Sequence, residues 1–207
     1  MVYNNFILRF LFSTFFIFVY SICAYIDFKY VFFLILLVYF LILIEIYFYF
    51  KIYKLLPIIY ILVSLIFFMA INLTQVNFLN FNLFILIVIT FDIFSYITGK
   101  IFGNKKLIKI SPNKTYEGLI GGIIFSFLIS LSFLFFFEIN INIKSIFFIF
   151  IIILSSLTGD LIESYFKRRN KIKNSSNFVP GHGGVFDRFD SFLFSIIFYS
   201  ISIKFLI

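Results

Sequence analysis

Residues 31–50 read VFFLILLVYFLILIEIYFYF. A helix crosses the hydrocarbon core of a bilayer in about 20 predominantly apolar residues, and this run has that length. A membrane β-strand would instead alternate apolar and polar residues over roughly 10 positions, a pattern absent here. Working outward, the same character recurs in seven hydrophobic segments, at about 6–25, 31–50, 57–72, 83–99, 118–137, 145–163 and 191–207. The totals agree. Of 207 residues, 63% are apolar, 37 are Phe and only 13% are charged, against roughly 25% charged in an ordinary soluble domain. Mean hydropathy is +1.13. A soluble fold of this size has too little interior to hide so much apolar surface. A soluble globular domain, a disordered tail and a disulfide scaffold are therefore excluded. The expected fold is all-α: a polytopic integral membrane helical bundle of about seven transmembrane helices. It forms a single membrane domain over 1–207, with N-terminal membrane helices in 1–82 and the chemistry-bearing region in 83–207.

The only cysteine, Cys23, lies in an apolar stretch, which excludes an intrachain disulfide and a cysteine zinc cluster. The first segment is long and no small-x-small cleavage site follows it, so it reads as a retained helix. The formal charge of +8 matters less for its sum than for its distribution, and it does not call for a nucleic-acid partner. With the N-terminus as side one, the side-one loops are 51–56, 100–117 and 164–190. They carry Lys51 and Lys54; Lys100, Lys105, Lys106, Lys109 and Lys114; and Lys167, Arg168, Arg169, Lys171, Lys173 and Arg188. The opposite loops carry only Lys29 and Lys144. The positive-inside rule places side one, and with it the N-terminus, in the cytoplasm. The two long loops 100–117 and 164–190 share that face, so the chemistry is expected there.

Acids stand where a bilayer disfavours them. Asp92 falls inside the fourth segment, and Asp160 and Glu163 fall near the end of the sixth. A charge at mid-bilayer costs about 2.5–3.5 kcal/mol even on the lenient insertion scale, so such residues face a partner or a wet cavity. Asp160, Glu163, Ser164 and Lys167 are spaced i, i+3, i+4 and i+7, one polar stripe on a helix. An ion pair that merely fixes helix packing is the plainer reading of any one of them. Asp187 and Asp190 form a second pair at i, i+3, which a helix N-terminus alone would also favour. Hard carboxylates without clustered Cys or His suit Mg²⁺ rather than zinc.

The loops hold phosphate-binding chemistry. In "PGHGG", residues 180–184, three glycines around His182 let backbone N–H groups approach an anion. The run "FKRRNKIK" also suits a topological anchor or contact with anionic lipid. Ser111, Lys114 and Thr115 are donors in "SPNKTYEG", with Glu117 placed to open the next helix. Gly118 and Gly122 stand at GxxxG spacing, which reads as helix packing. Acids, cations and glycine loops together suit a phosphate-rich substrate with a divalent metal, and the apolar bundle beneath suits a lipid co-substrate.

At these residues the sequence resembles the phosphatidate cytidylyltransferase (CDP-diacylglycerol synthase) family. The family signature runs S-x-x-K-R, four residues, K-D, then P-G-H-G-G-x-x-D-R-x-D. In "SYFKRRNKIKNSSNFVPGHGGVFDRFD" the residues Ser164, Lys167, Arg168, Lys173, Pro180, Gly181, His182, Gly183, Gly184, Asp187, Arg188 and Asp190 fall in register. "GDLIES", "SPNKTYEGLIGG" and, more loosely, "DIFSYITGKIFG" also look like the family, so the resemblance covers roughly 92–190. Asn174 stands where the family usually has Asp, Val179 replaces Leu, Ile or Phe, and Ser95 replaces Ala.

The resemblance implies transfer of a cytidylyl group from CTP to phosphatidate, giving CDP-diacylglycerol and pyrophosphate in phospholipid biosynthesis. It implies Mg²⁺, with a second cation, held by Asp160 and Asp187 and supported by Asp190. Lys167, Arg168 and Arg188 would bind phosphates, and His182 would serve as a loop or phosphate donor. Ser111, Lys114 and Thr115 would hold nucleotide or pyrophosphate, and Ser164, Lys173, Gly181, Gly183 and Gly184 would complete substrate binding. Asp92 would line a polar cavity. A homodimer in a bacterial inner membrane, with its active site on the cytoplasmic face, is the implied setting. Two other readings use the same residues: a CTP-dependent lipid-alcohol kinase, and a transporter built on the buried acids.

Overall fold

A computed structural model describes residues 2–71, 78–108, 110–176 and 183–206, with backbone alone for 2–13, 112, 113 and 204–206. Among the described residues there are seven helices: α1 (Val2–Ile26), α2 (Phe28–Tyr49), α3 (Leu55–Met69), α4 (Phe78–Phe102), α5 (Tyr116–Phe136), α6 (Ile143–Arg169) and α7 (Phe186–Leu206). Each coincides with one of the seven expected segments. Four of them, α2, α4, α5 and α6, are long and apolar enough to cross a membrane, while Thr14–Ile26 and Leu55–Met69 are shorter apolar helices. Large apolar side chains such as Phe135, Phe136 and Ile143 point outward. Water would not tolerate such a surface, and lipid does.

Two differences from the sequence expectation lie at the site. α6 continues past 163 to Arg169, and α7 begins at Phe186 rather than 191. Hydropathy falls at these polar turns, but their hydrogen-bonded backbone stays helical. Asp187 therefore lies in the first turn of α7, and Asp190 is helical too, just beyond that turn. The 100–117 loop also contains an antiparallel hairpin, β1 (Lys106–Ile108) with β2 (Ser111–Thr115), pairing Lys106 with Thr115 and Ile108 with Ser111. The register shifts between the two pairs. Its strands are too short for periodicity to reveal them.

Side chains begin the helices. Asp27 accepts from Lys29 N at 2.9 Å to cap α2. Thr115 accepts from Gly118 N at 3.1 Å to cap α5, and Asn142 accepts from Ser145 N at 2.8 Å to cap α6. Each satisfies an N–H that the helix itself cannot. Pro57 sits in the first turn of α3, where its missing N–H costs nothing.

The core is aromatic and aliphatic. Phe81, Phe84 and Phe148 gather around Tyr199, with Phe84 and Tyr199 centroids 4.6 Å apart. Buried hydroxyls stitch the helices: Tyr39 and Ser64 share a hydrogen bond of 2.6 Å, and Ser64 Oγ donates to Leu193 O on α7. α5 lies close on α4, with Gly118, Gly121 and Gly122 facing Ser95, Thr98 and Phe91, the packing role expected of that glycine stripe. Gly159 does the same between α6 and α7, and a Cβ there would come within 2.5 Å of Asp190 O. That close approach brings Asp160 beside Asp190.

The three expected side-one connections meet at one end of the bundle. Asn170, capping α6, accepts from Ile52 N at 3.2 Å and Tyr53 N at 2.9 Å in the α2–α3 connection. Arg168 Nε donates to Ile110 O in the hairpin at 3.4 Å.

Candidate active site

At that end of the bundle a cavity of about 580 Å³ opens among α4, the hairpin, α5, α6 and α7. Asp92, Asp160, Asp187 and Asp190 line it together with Lys100, Lys114, Arg188, Ser111 and Thr115. Acids and cations from residues 92 to 190 thus converge on one space.

Asp160 forms an ion pair with Lys114, which reaches in from β2. Asp160 and Asp190 lie within hydrogen-bonding reach of each other. Asp190 also accepts from Ser191 N at 2.8 Å, and Ser191 Oγ donates to Asp92 Oδ1 at 3.0 Å. Asp92, Asp160 and Asp190 therefore form a connected acidic wall. Beside it, the Lys167 ammonium stands between two carboxylates, 2.5 Å from Glu163 Oε2 and 2.8 Å from Asp187 Oδ1. Glu163, almost fully buried, also lies within hydrogen-bonding reach of Asp187. Asp187 is fully engaged, because its Oδ2 accepts from Ser175 N at 3.0 Å and Gly184 N at 2.9 Å. Gly183 has a φ of +92°, in the region that favours glycine, and a Cβ there would sit 2.5 Å from Asp187 Oδ2.

The sequence candidates fall into groups. Asp160, Asp187, Asp190, Arg188, Ser111, Lys114 and Thr115 line the cavity, and Lys167 joins it through Asp187. Thr115 Oγ1 is already engaged as the α5 cap. Gly183 and Gly184 form the turn against Asp187. Arg168 is exposed and held on the hairpin backbone. Ser164 and Lys173 are not among the residues lining the cavity. His182 and Gly181, with Pro180, Val179 and Lys109, lie outside the described residues.

The donors in the acidic wall are carboxylate oxygens, the chemistry a hard divalent cation takes. Among the described residues, though, no group of three or more His, Cys, Asp or Glu side chains is arranged to hold a metal ion. Lys114 and Lys167 instead balance the charge of Asp160 and Asp187.

A sequence model of the cytidylyltransferase family matches residues 2–206. The chain belongs to the cytidylyltransferase family. Among its relatives, a phosphatidate cytidylyltransferase of Staphylococcus haemolyticus is 40% identical over 130 residues, 61% of this chain and 50% of that protein. One of Staphylococcus aureus is 43% identical over 111 residues, 53% of this chain and 43% of that protein. One of Helicobacter pylori is 36% identical over 113 residues, 55% of this chain and 42% of that protein. The chain thus spans about half the length of the curated relatives it matches.

Two buried polar residues are not legible in the sequence. Glu45, in the second segment, is fully buried and accepts from Val185 N and Phe186 N. Asn170 joins α6 to the α2–α3 connection. An ionisable residue inside an apolar run was the available signal for Glu45. Asn170, in a basic polar run, gave none.

Proposed function

We propose that the protein transfers the cytidylyl group of CTP to phosphatidate, forming CDP-diacylglycerol and pyrophosphate. The reaction belongs at the cytoplasmic face of a bacterial inner membrane, with the protein acting as a homodimer. The observation that carries this reading is the single cavity in which Asp160, Asp187, Asp190, Arg188 and Lys114 meet at the end of an apolar bundle. The family membership and the phosphatidate cytidylyltransferase relatives support it.

An oxygen of the lipid phosphate forms a bond to the α-phosphorus of CTP. The bond from that phosphorus to the bridging oxygen breaks, and pyrophosphate leaves with the electron pair. The nucleophile is anionic near neutral pH, so the site needs no strong base. Its work is positioning and charge stabilisation. Lys114 and Arg188 offset the charge of the triphosphate within the cavity, and Arg168 adds a cation at the hairpin. Lys167 is held in place by Glu163 and Asp187, so its ammonium is fixed before substrate arrives. Asp160, Asp187 and Asp190 would hold Mg²⁺, and a second cation, in place of the ammonium groups of Lys114 and Lys167 that pair with Asp160 and Asp187 in this structure. When bound, the metal supplies Lewis acidity and screens phosphate repulsion. The acyl chains of the lipid stay against the apolar helices.

The test uses purified protein, phosphatidate and CTP labelled at the α-phosphate. The expected result is label in the lipid fraction, lost on chelation and restored by Mg²⁺. Absence of α-label from lipid overturns the reading. Transfer of γ-label instead identifies the lipid-alcohol kinase.

A further inference from the structure

Glu45 is the one acid of α2, and it is completely buried. A carboxylate in an apolar helix is costly unless hydrogen bonds or charge compensate it. The compensation comes from the far end of the chain. Glu45 Oε2 accepts from Val185 N at 2.7 Å and Phe186 N at 3.1 Å. These N–H groups open α7, where the helix supplies no acceptor of its own and where negative charge is favoured. Glu45 Oε1 lies against Gly184: a Cβ at that glycine would stand 1.7 Å from it and 2.1 Å from Ser175 Oγ. Gly184 N and Ser175 N in turn donate to Asp187 Oδ2. Glu45 and Asp187 therefore grip the same short stretch of backbone from two sides. The other described flank of the α6–α7 connection is tied to the same hairpin of helices, through Asn170 to Ile52 and Tyr53.

We propose that Glu45 is a positioning residue: from α2 it fixes the backbone at 184–186 where α7 begins, and so sets where Asp187 and Asp190 stand in the cavity. Asp187 directly follows Phe186, and Asp190 lies one helical turn on. A shift at the first turn of α7 moves both. The role joins the N-terminal helices, none of whose described residues lines the cavity, to the chemistry. Its kinetic consequence rests on the cytidylyltransferase reading, whereas the backbone anchoring does not.

The test compares full-length protein with Glu45→Gln and Glu45→Asp. Gln keeps the volume and one acceptor oxygen but removes the charge; Asp keeps the charge on a shorter arm. Hydrogen exchange followed by mass spectrometry reports the anchoring without reference to activity. Glu45→Gln should speed exchange in peptides covering 183–187 while α5 and mid-α6 peptides keep the wild-type rate. In the labelled-CTP assay kcat should fall roughly 10- to 100-fold, the scale of a small misplacement of reacting groups, with KM for CTP nearly unchanged. Glu45→Asp should recover part of the kcat. Wild-type exchange at 183–187 in Glu45→Gln overturns the proposal. So does faster exchange throughout the bundle, which would mark Glu45 as a general packing residue. A rise in KM alone, with kcat unchanged, also overturns it. If wild-type protein labels no lipid, the proposed reaction fails, and the exchange comparison still decides the anchoring.

Discussion

Lys167→Met would isolate the energetics of the charge arrangement beside the cavity. Methionine keeps most of the aliphatic stem and deletes the ammonium. The ammonium lies 2.5 Å from Glu163 and 2.8 Å from Asp187, with side-chain exposures of 14% for Lys167, 1% for Glu163 and 11% for Asp187. Solvent screens little of such an interaction. Removing it leaves two carboxylates facing each other without their shared counterion. Breaking a buried pair from one side costs about 3–5 kcal/mol. A Coulomb estimate at an effective dielectric of about 20 over the 2.8 Å contact with Asp187 gives roughly 6 kcal/mol before desolvation is subtracted, the same order. For a chain of this size, 1 kcal/mol moves Tm by about 2–4 °C, so the drop should be on the order of 6–20 °C. Thermal unfolding of purified protein in detergent measures it. The informative comparison is Glu163→Gln/Lys167→Met, which removes one of the stranded charges. It should regain at least half of the lost Tm yet remain poor in transfer, because the ammonium that the proposed mechanism uses is still missing. If the double variant unfolds no later than Lys167→Met, the two positions act independently and the charge argument is wrong.

Two further substitutions probe the cavity and the contact that shapes it. Asp160→Asn removes the charge that Lys114 pairs with and should lower lipid labelling at least ~100-fold, as for loss of a group acting on transition-state charge, with membrane insertion intact; near-normal turnover would remove Asp160 from the site. Gly159→Ala places a Cβ 2.5 Å from Asp190 O and 3.0 Å from Phe194 Cβ. It should cost about 1–3 kcal/mol through overpacking and separate Asp160 from Asp190, and an unaltered Tm would contradict the close α6–α7 contact.

Much of this molecule was legible in one dimension. Seven apolar runs of near-membrane length match the seven helices of the described residues, because in lipid a backbone must satisfy its own hydrogen bonds and a helix does so locally. The stripe from Asp160 to Lys167 is legible because helical periodicity is local too, whereas the Lys167–Asp187 ion pair joins residues 20 positions apart. Gly118 and Gly122 read correctly as packing residues from their spacing alone. The hairpin at 106–115 was missed: two strands this short carry no usable pattern. Polar turns hid the last turn of α6 and the first of α7, since hydropathy ends before the hydrogen bonding does.

Local order along the chain therefore settled the helices, their number and the kinds of side chain available for chemistry. Folding decided which of them meet. Lys114 and Asp160 are 46 positions apart, and Glu45 and Val185 are 140. No window of hydropathy or periodicity spans such distances. A charge in a greasy run announces that it needs a partner, but only the packing of α2, α6 and α7 supplies one, because Coulomb and hydrogen-bond energies depend on separation in space rather than along the chain.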